Sequence, residues 1–428
     1  MICISTRGVA PAVSFREALL SGLAPDGGLY VPQRLPVLDP AVWTAARGAS
    51  MAEVGTVMLG PLIGDEIGLD ALKALLADAF NFPVPVVALA EGLSAVELFH
   101  GPTFAFKDVG ARVLARLMSH LHGEGQAPLT VLVATSGDTG GAVAHAFHGV
   151  PHTRVVVLYP HGQVSAVQEA QFTTLGGNVM AVAVAGSFDD CQRMAKQAFS
   201  SRDLRERAHL TSANSISVGR LLPQMVYYGL AAARADAGAP LVIAVPSGNF
   251  GNLAAGLMAM RMGAPIDAFH AATTINDTVP RYLRSGVVEP KPSVTTIANA
   301  MDVGNPSNLE RIRWMFDGDL EALRDVVTAS VHADDAVRGA IKDLDSRLGY
   351  LADPHTAIAY LGATEVTVAR PDVQVQFLAT AHPAKFGGVV EPITGRPVPL
   401  PAALAEAMSR PRQVVHITPD LEALAALL

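Results

Sequence analysis

The chain has 428 residues, too many for one ordinary hydrophobic core, so two or three domains are expected. Half of the residues are apolar and 16% are charged, which excludes bulk disorder, and the net charge of −8 speaks against a nucleic-acid surface or attraction to anionic lipid. A site for an anionic ligand must therefore gather local positive groups against the overall field.

The opening "MICISTRGVAPAVSF" lacks the long apolar core of a signal peptide. Residues 1–90 read as helical segments around turns. "APDGGLYVPQRLP" (24–36) is a Gly/Pro-rich loop, "MAEVGTVMLGPLIG" (51–64) a helix followed by a turn, and "NFPVPVV" (81–87) a linker whose prolines exclude a helix interior. No run of about 18 apolar residues appears, so no membrane-spanning helix is expected and the chain reads as soluble and cytoplasmic. The two cysteines, Cys3 and Cys191, make no C-x-x-C pair, and a disulfide framework is not expected. His120 and His122 lie two apart and so face different sides of a helix, and no metal site is expected.

"HGPTFAFKDVG" (100–110) raises the first chemical question. Val109, Val113, Leu114 and Leu117 have the spacing of one apolar helix face, which puts Lys107 at a helix start, beside Phe104 and Phe106. The positive dipole end and the apolar company both disfavour an ammonium, and so favour a neutral, nucleophilic amine. The competing reading is a surface lysine paired with Asp108.

From residue 129 onward short apolar runs alternate with helical periodicity: "LTVLVAT" (129–135), "RVVVLYP" (154–160), "VMAVAVAG" (179–186), "LVIAVPS" (241–247), "IDAFHAATT" (266–274) and "VQVQFLAT" (373–380). The first, second and fourth are nearly continuous in apolar residues, as buried parallel strands require, and the alternation predicts an α/β protein. The stretch 318–349 reads as a solvated surface helix pair. Two strands run into polar, Gly-rich loops that open helices, "TSGDTGG" and "SGNFGN". Neither is a mononucleotide or dinucleotide fingerprint. Glycines can serve only to turn a strand into a helix, but two such loops can also bind two small anions. A sheltered lysine together with a phosphate cup is what pyridoxal phosphate requires.

These residues resemble the threonine synthases, whose fold is shared with tryptophan synthase β and the serine/threonine dehydratases. The resemblance runs nearly end to end through "STRG" (5–8), "DGGLYVP" (26–32), "HGPTFAFKD" (100–108), "TSGDTG" (135–140), "FDDCQ" (188–192), "SANSIS" with Arg220, "PSGNFGN" (246–252) and "ATAHPAKF" (379–386). It implies two open, twisted, mostly parallel sheets flanked by helices, plus an N-terminal mainly helical domain. The expected division is 1–90 for that domain, 91–235 for the smaller cofactor domain and 236–428 for the larger.

The resemblance also implies roles. Lys107 forms the Schiff base with pyridoxal 5'-phosphate. Gly248, Asn249, Phe250, Gly251 and Asn252 wrap the cofactor phosphate, and Thr380 lies at the pyridine nitrogen. Thr135 and Ser136 face the substrate carboxylate, while Thr139, Asn214, Ser215 and Arg220 receive the substrate phosphate. Asp138 falls beside the cofactor's phenolic oxygen, with which it is expected to share a proton; otherwise it caps the following helix. The implied reaction converts O-phospho-L-homoserine and water to L-threonine and phosphate, on a monomer or homodimer with no nucleic-acid or membrane partner. The alternatives are a phospho-lyase of the same fold that releases a keto acid, and a non-catalytic ligand-binding relative. His100, His382, Lys385, Cys191 and Trp314 read as supporting or packing residues.

Overall fold

The structure is a computed structural model that describes residues 1–122 and 127–428. The N-terminal segment begins with a small antiparallel sheet in which β1 (Ile2–Ser5) lies between β2 (Val13–Ser14) and β3 (Tyr30–Pro32). The helix Met51–Ile67 follows, started by a reciprocal Ser50–Glu53 capping box. It runs on through Pro61, so the turn expected by residue 64 does not form. Proline removes the hydrogen bond to the carbonyl four residues earlier, that of Val57, and Val57 lies on the exposed face where water can take that bond. This helix packs on the helix Met225–Arg234, which joins the N-terminal segment to the main core.

The chain then enters the first large sheet at β4 (Val86–Ala90), inside the segment read as a linker, and returns in β5 (Leu93–Glu97). Next come β6 (Leu129–Ala134), β7 (Thr153–Pro160), β8 (Val179–Val184) and β9 (Leu210–Ser212). Then follow β10 (Leu241–Pro246), β11 (Ala268–Thr273), β12 (Val327–Val331), β13 (Gln374–Ala379) and β14 (Val414–Ile417). One sheet has the order β12-β11-β10-β13-β5-β4 and is parallel except for the β4–β5 pair. The other has the order β14-β8-β7-β6-β9 and is parallel throughout. β6 and β10 are buried along their whole length, which explains their nearly unbroken apolar sequence: helices cover both faces.

Two expectations give way here. The contiguous division at 91 and 236 fails because β4 and β5 complete the sheet of β10–β13, while β14 returns to the sheet of β6–β9. The stretch 318–349 is helix Leu320–Val326, strand β12 and helix Asp334–Leu348. As an edge strand β12 buries only Val327 and Ser330, so its sequence carries no apolar run. No helix among the described residues is long and apolar enough to cross a membrane, and no cluster of three His, Cys, Asp or Glu side chains stands ready for a metal ion among them.

Candidate active site

The segment leading to Lys107 is stitched to the end of β13. The Leu98 N–H donates to the Ala379 carbonyl and that of Phe106 to the Thr380 carbonyl, each at 2.9 Å, and the His382 N–H donates to the Phe104 carbonyl at 3.0 Å. The helix Lys107–His122 therefore starts at the carboxyl end of the sheet, where open α/β folds place ligands. Asp108 is not a partner of Lys107. It is fully buried and accepts from the Thr103 N–H at 2.8 Å and hydroxyl at 2.6 Å. The reading of a surface lysine paired with Asp108 is thus overturned. Lys107 Nζ lies 5.5 Å from the Phe106 ring centroid and 3.7 Å from Asp138 Oδ2. Burial lowers its proton affinity, against Asp138 and with the help of Lys385 and Arg220.

Asp138 opens the helix Asp138–Phe147 at the carboxyl end of β6. The preceding Gly137 has φ +139°, and a Cβ there would come 2.5 Å from the Gln168 side chain. Thr135 braces the turn, its Oγ1 accepting from the N–H groups of Gly137 at 2.9 Å and Gly140 at 2.8 Å. The Asp138 carboxylate makes no cap; Oδ1 accepts from Lys385 Nζ at 2.7 Å and Gln168 Nε2 at 2.8 Å. Burial pushes its pKa up, but Lys385 and Lys107 outweigh that and hold it well below the usual carboxylate range. The Asp138 carboxylate is therefore ion-paired to Lys385 and does not serve as the helix cap that was the other role expected of it.

At the end of β10 the loop passes through Phe250 in the left-handed region (φ +60°) and opens the helix Gly251–Arg261. None of the N–H groups of residues 248–252 donates to another described residue, as the first turn of a helix leaves them. A Cβ on Gly248 would stand 2.6 Å from Met301 Cα, so only glycine admits this close approach. Asn252 Oδ1 accepts from the hydroxyls of Tyr227 and Tyr228, and its buried Nδ2 has no partner among the described residues. Free N–H groups, an unpartnered amide and the helix dipole suit a phosphate. With the depressed amine of Lys107, they fit pyridoxal phosphate.

Arg220 is buried on the short helix Val218–Leu221. Its Nη1 donates to the Ala213 carbonyl at 2.6 Å, while Nε has no partner among the described residues. Burial lowers its pKa to about 10, with Asp108 opposing. Asn214 Oδ1 is likewise buried without a partner, and Ser215 Oγ accepts from Asn249 Nδ2 at 2.6 Å.

A cavity of about 1940 Å³ brings these groups together. Its walls include Lys107, Thr135, Ser136, Asp138, Thr139, Asn214, Ser215, Arg220, Gly248, Asn249, Phe250, Gly251, Asn252 and Thr380. Arg7 and Trp314 also line it, so Trp314 is a wall residue as well as packing. Cys191 is buried beneath the five-stranded sheet, His100 pairs with Glu97 at 2.6 Å, and His382 accepts from the Ala384 N–H. Three groups went unassigned in the sequence. Lys385, read as support, reaches Asp138. His355 lines the cavity, paired through Nδ1 with Asp353 at 2.6 Å. Arg311, 1% exposed, donates to the carbonyls of Tyr30, Ser215 and Ile216. Only Asp353-Pro354 carries a local signal, that of a helix start.

Three family models match the chain: "Pyridoxal-phosphate dependent enzyme" over residues 90–374, "Threonine synthase N terminus" over 3–80 and "Threonine synthase, C-terminal" over 356–428. The threonine synthase of Serratia marcescens is 45% identical over 401 residues, covering 92% of this chain and 91% of its own. The crystal structure of threonine synthase from Escherichia coli superposes with a TM-score of 0.93 at 41% identity, covering 100% of this chain and 99% of its own. The pyridoxal-phosphate-bound threonine synthase of Brucella melitensis gives 0.94 at 36% identity, covering 100% and 98%.

Proposed function

Since the chain belongs to the threonine synthase family of pyridoxal-phosphate-dependent enzymes, it is a lyase acting on a phosphate-bearing substrate, and we propose that this substrate is O-phospho-L-homoserine, converted with water to L-threonine and phosphate. One observation carries the reading. A single cavity holds a sheltered amine, Lys107, and two separate sets of donors free to take an anion: the N–H groups of 248–252 and the Arg220 guanidinium.

Lys107 would carry the cofactor's aldehyde carbon, residues 248–252 its phosphate, and the Thr380 hydroxyl would meet its ring nitrogen. A hydroxyl there does not hold a proton on that nitrogen as a carboxylate would. Bound in this way, pyridoxal phosphate supplies an acceptor for the electron pair left when a proton leaves the substrate's α-carbon. Arg220, with Asn214, Ser215 and Thr139, holds the substrate phosphate; the planar guanidinium matches two phosphate oxygens. Thr135 and Ser136, before the helix Asp138–Phe147, orient the substrate carboxylate toward that helix's positive end. The freed Lys107 amine removes the α-proton and then a β-proton, phosphate leaves the γ-carbon, and the oxygen of water joins the β-carbon. Lys107 returns the protons from within about 3 Å of each carbon in turn. The net charge of −8 speaks against a nucleic-acid partner.

Incubation with pyridoxal phosphate should give a protein absorbing at about 410–420 nm, with one lysine labelled after borohydride reduction. Product analysis should then find threonine and phosphate in equal amounts. A keto acid would indicate the phospho-lyase, and a colourless protein would remove the reading.

A further inference from the structure

Three elements far apart in sequence meet at one buried carboxylate. Asp138 opens the helix after β6, Lys107 opens the helix after β5, and Lys385 lies in the short turn Pro383–Phe386 after β13. The Lys385 side chain has no exposed surface. Its Nζ stands 2.7 Å from Asp138 Oδ1 and donates to the Thr103 carbonyl at 2.8 Å, and Thr103 is itself fixed by Asp108. The second oxygen, Asp138 Oδ2, faces Lys107 Nζ at 3.7 Å. Lys385 does not line the cavity, so it acts on the chemistry without touching a ligand, through Asp138 and through its charge near Lys107.

The charges have a definite consequence. A buried carboxylate needs a counter-ion. Lys385 is the closer and more deeply buried of the two ammonium groups, so it satisfies Asp138 without Lys107. Without Lys385, Lys107 would be the remaining cation beside Asp138 and would hold its proton more tightly. Arg220 acts on Lys107 in the same direction as Lys385, Asp353 in the opposite one, and Asp108 faces Lys385. Resting on the proposed function, we propose that Lys385 is a positioning residue that serves as the standing counter-ion of Asp138 and so frees the Lys107 nitrogen to release its proton.

The full-length protein loaded with pyridoxal phosphate tests this by titration of its visible absorbance, which reports the protonation of the nitrogen that Lys107 contributes. Lys385→Met removes a fixed positive charge, so the midpoint should rise by about one unit or more. Lys385→Gln carries the same expectation, keeps a donor for the Thr103 carbonyl, and stands in if the methionine variant fails to fold. Lys385→Arg keeps the charge and should stay near the parent. A midpoint that ignores Lys385→Met and Lys385→Gln overturns the proposal, as does Lys385→Arg moving as far as they do. A colourless parent protein would instead defeat the functional reading on which the proposal rests.

Discussion

Asn249 Nδ2 donates to Ser215 Oγ at 2.6 Å, and this one bond joins the loop after β10 to the loop after β9. The other side of the same amide, Oδ1, accepts from the Ser307 N–H at 2.7 Å. The residues proposed to hold the cofactor phosphate and those proposed to hold the substrate phosphate are thus not independent.

Asn249→Ala should weaken both at once. Asn249 and Ser215 are half-buried and Ser307 is exposed, so losing these hydrogen bonds costs about 0.5–1.5 kcal/mol, or roughly 2- to 12-fold in affinity. Equilibrium dialysis of pyridoxal phosphate and the KM for the phosphorylated substrate should both rise. A change confined to one of them would show that the bond does not couple the two loops.

Arg220→Gln keeps a planar donor but removes the charge. The value of kcat/KM for O-phospho-L-homoserine should fall on the order of 100-fold, while any slow turnover of serine stays nearly unchanged. Steady-state kinetics on both substrates decides it. Equal losses on both would take Arg220 out of phosphate recognition.

A pH effect on stability is expected from His270. Its ring bonds the hydroxyls of Thr328 at 2.9 Å and Ser330 at 2.8 Å, and burial, aided by His332, lowers its pKa from 6.5 to about 4. The folded state keeps it neutral while the unfolded chain protonates it. Its contribution is therefore complete above about pH 6.5 and lost as the pH falls toward 4, amounting to about 2 kcal/mol at about pH 5. Urea unfolding of the parent should show this decline, and His270→Gln should flatten it by that amount.

Arg311 is a mechanical link. Its guanidinium spans the carbonyls of Tyr30, Ser215 and Ile216 and the side chain of Asn308. Arg311→Met would leave buried carbonyls without donors, at about 1–3 kcal/mol each. The urea midpoint should drop, and Ser215 should lose its fixed place, raising the KM for the phosphorylated substrate. Unchanged stability would mean that water replaces the guanidinium.

The parts of the molecule legible in the sequence were those with local cause. β6, β7 and β10 show themselves because both faces are buried and nearly every position is apolar. The loops at 135–140 and 248–252 show themselves because glycine and small polar residues follow those strands. β12 stayed hidden because its buried residues, Val327 and Ser330, are three apart, and between two helices that spacing mimics helical periodicity. β4 hid behind the prolines just before it. Lys385 could not be placed beside Asp138 from sequence, because their contact depends on how β13 and β6 are set in two different sheets. Arg311 carries no local signal in the sequence, and only its burial against three carbonyls marks it.

The position of β14 beside β8 has a consequence for biogenesis. The ribosome delivers β8 long before β14, with β10 to β13 emerging in between. Throughout that interval the outer rim of β8 offers unsatisfied peptide groups to any passing extended segment. A nascent chain of this topology is thus exposed to wrongful pairing at Val179–Val184, and a chaperone that shields that rim should raise the yield of correctly folded product.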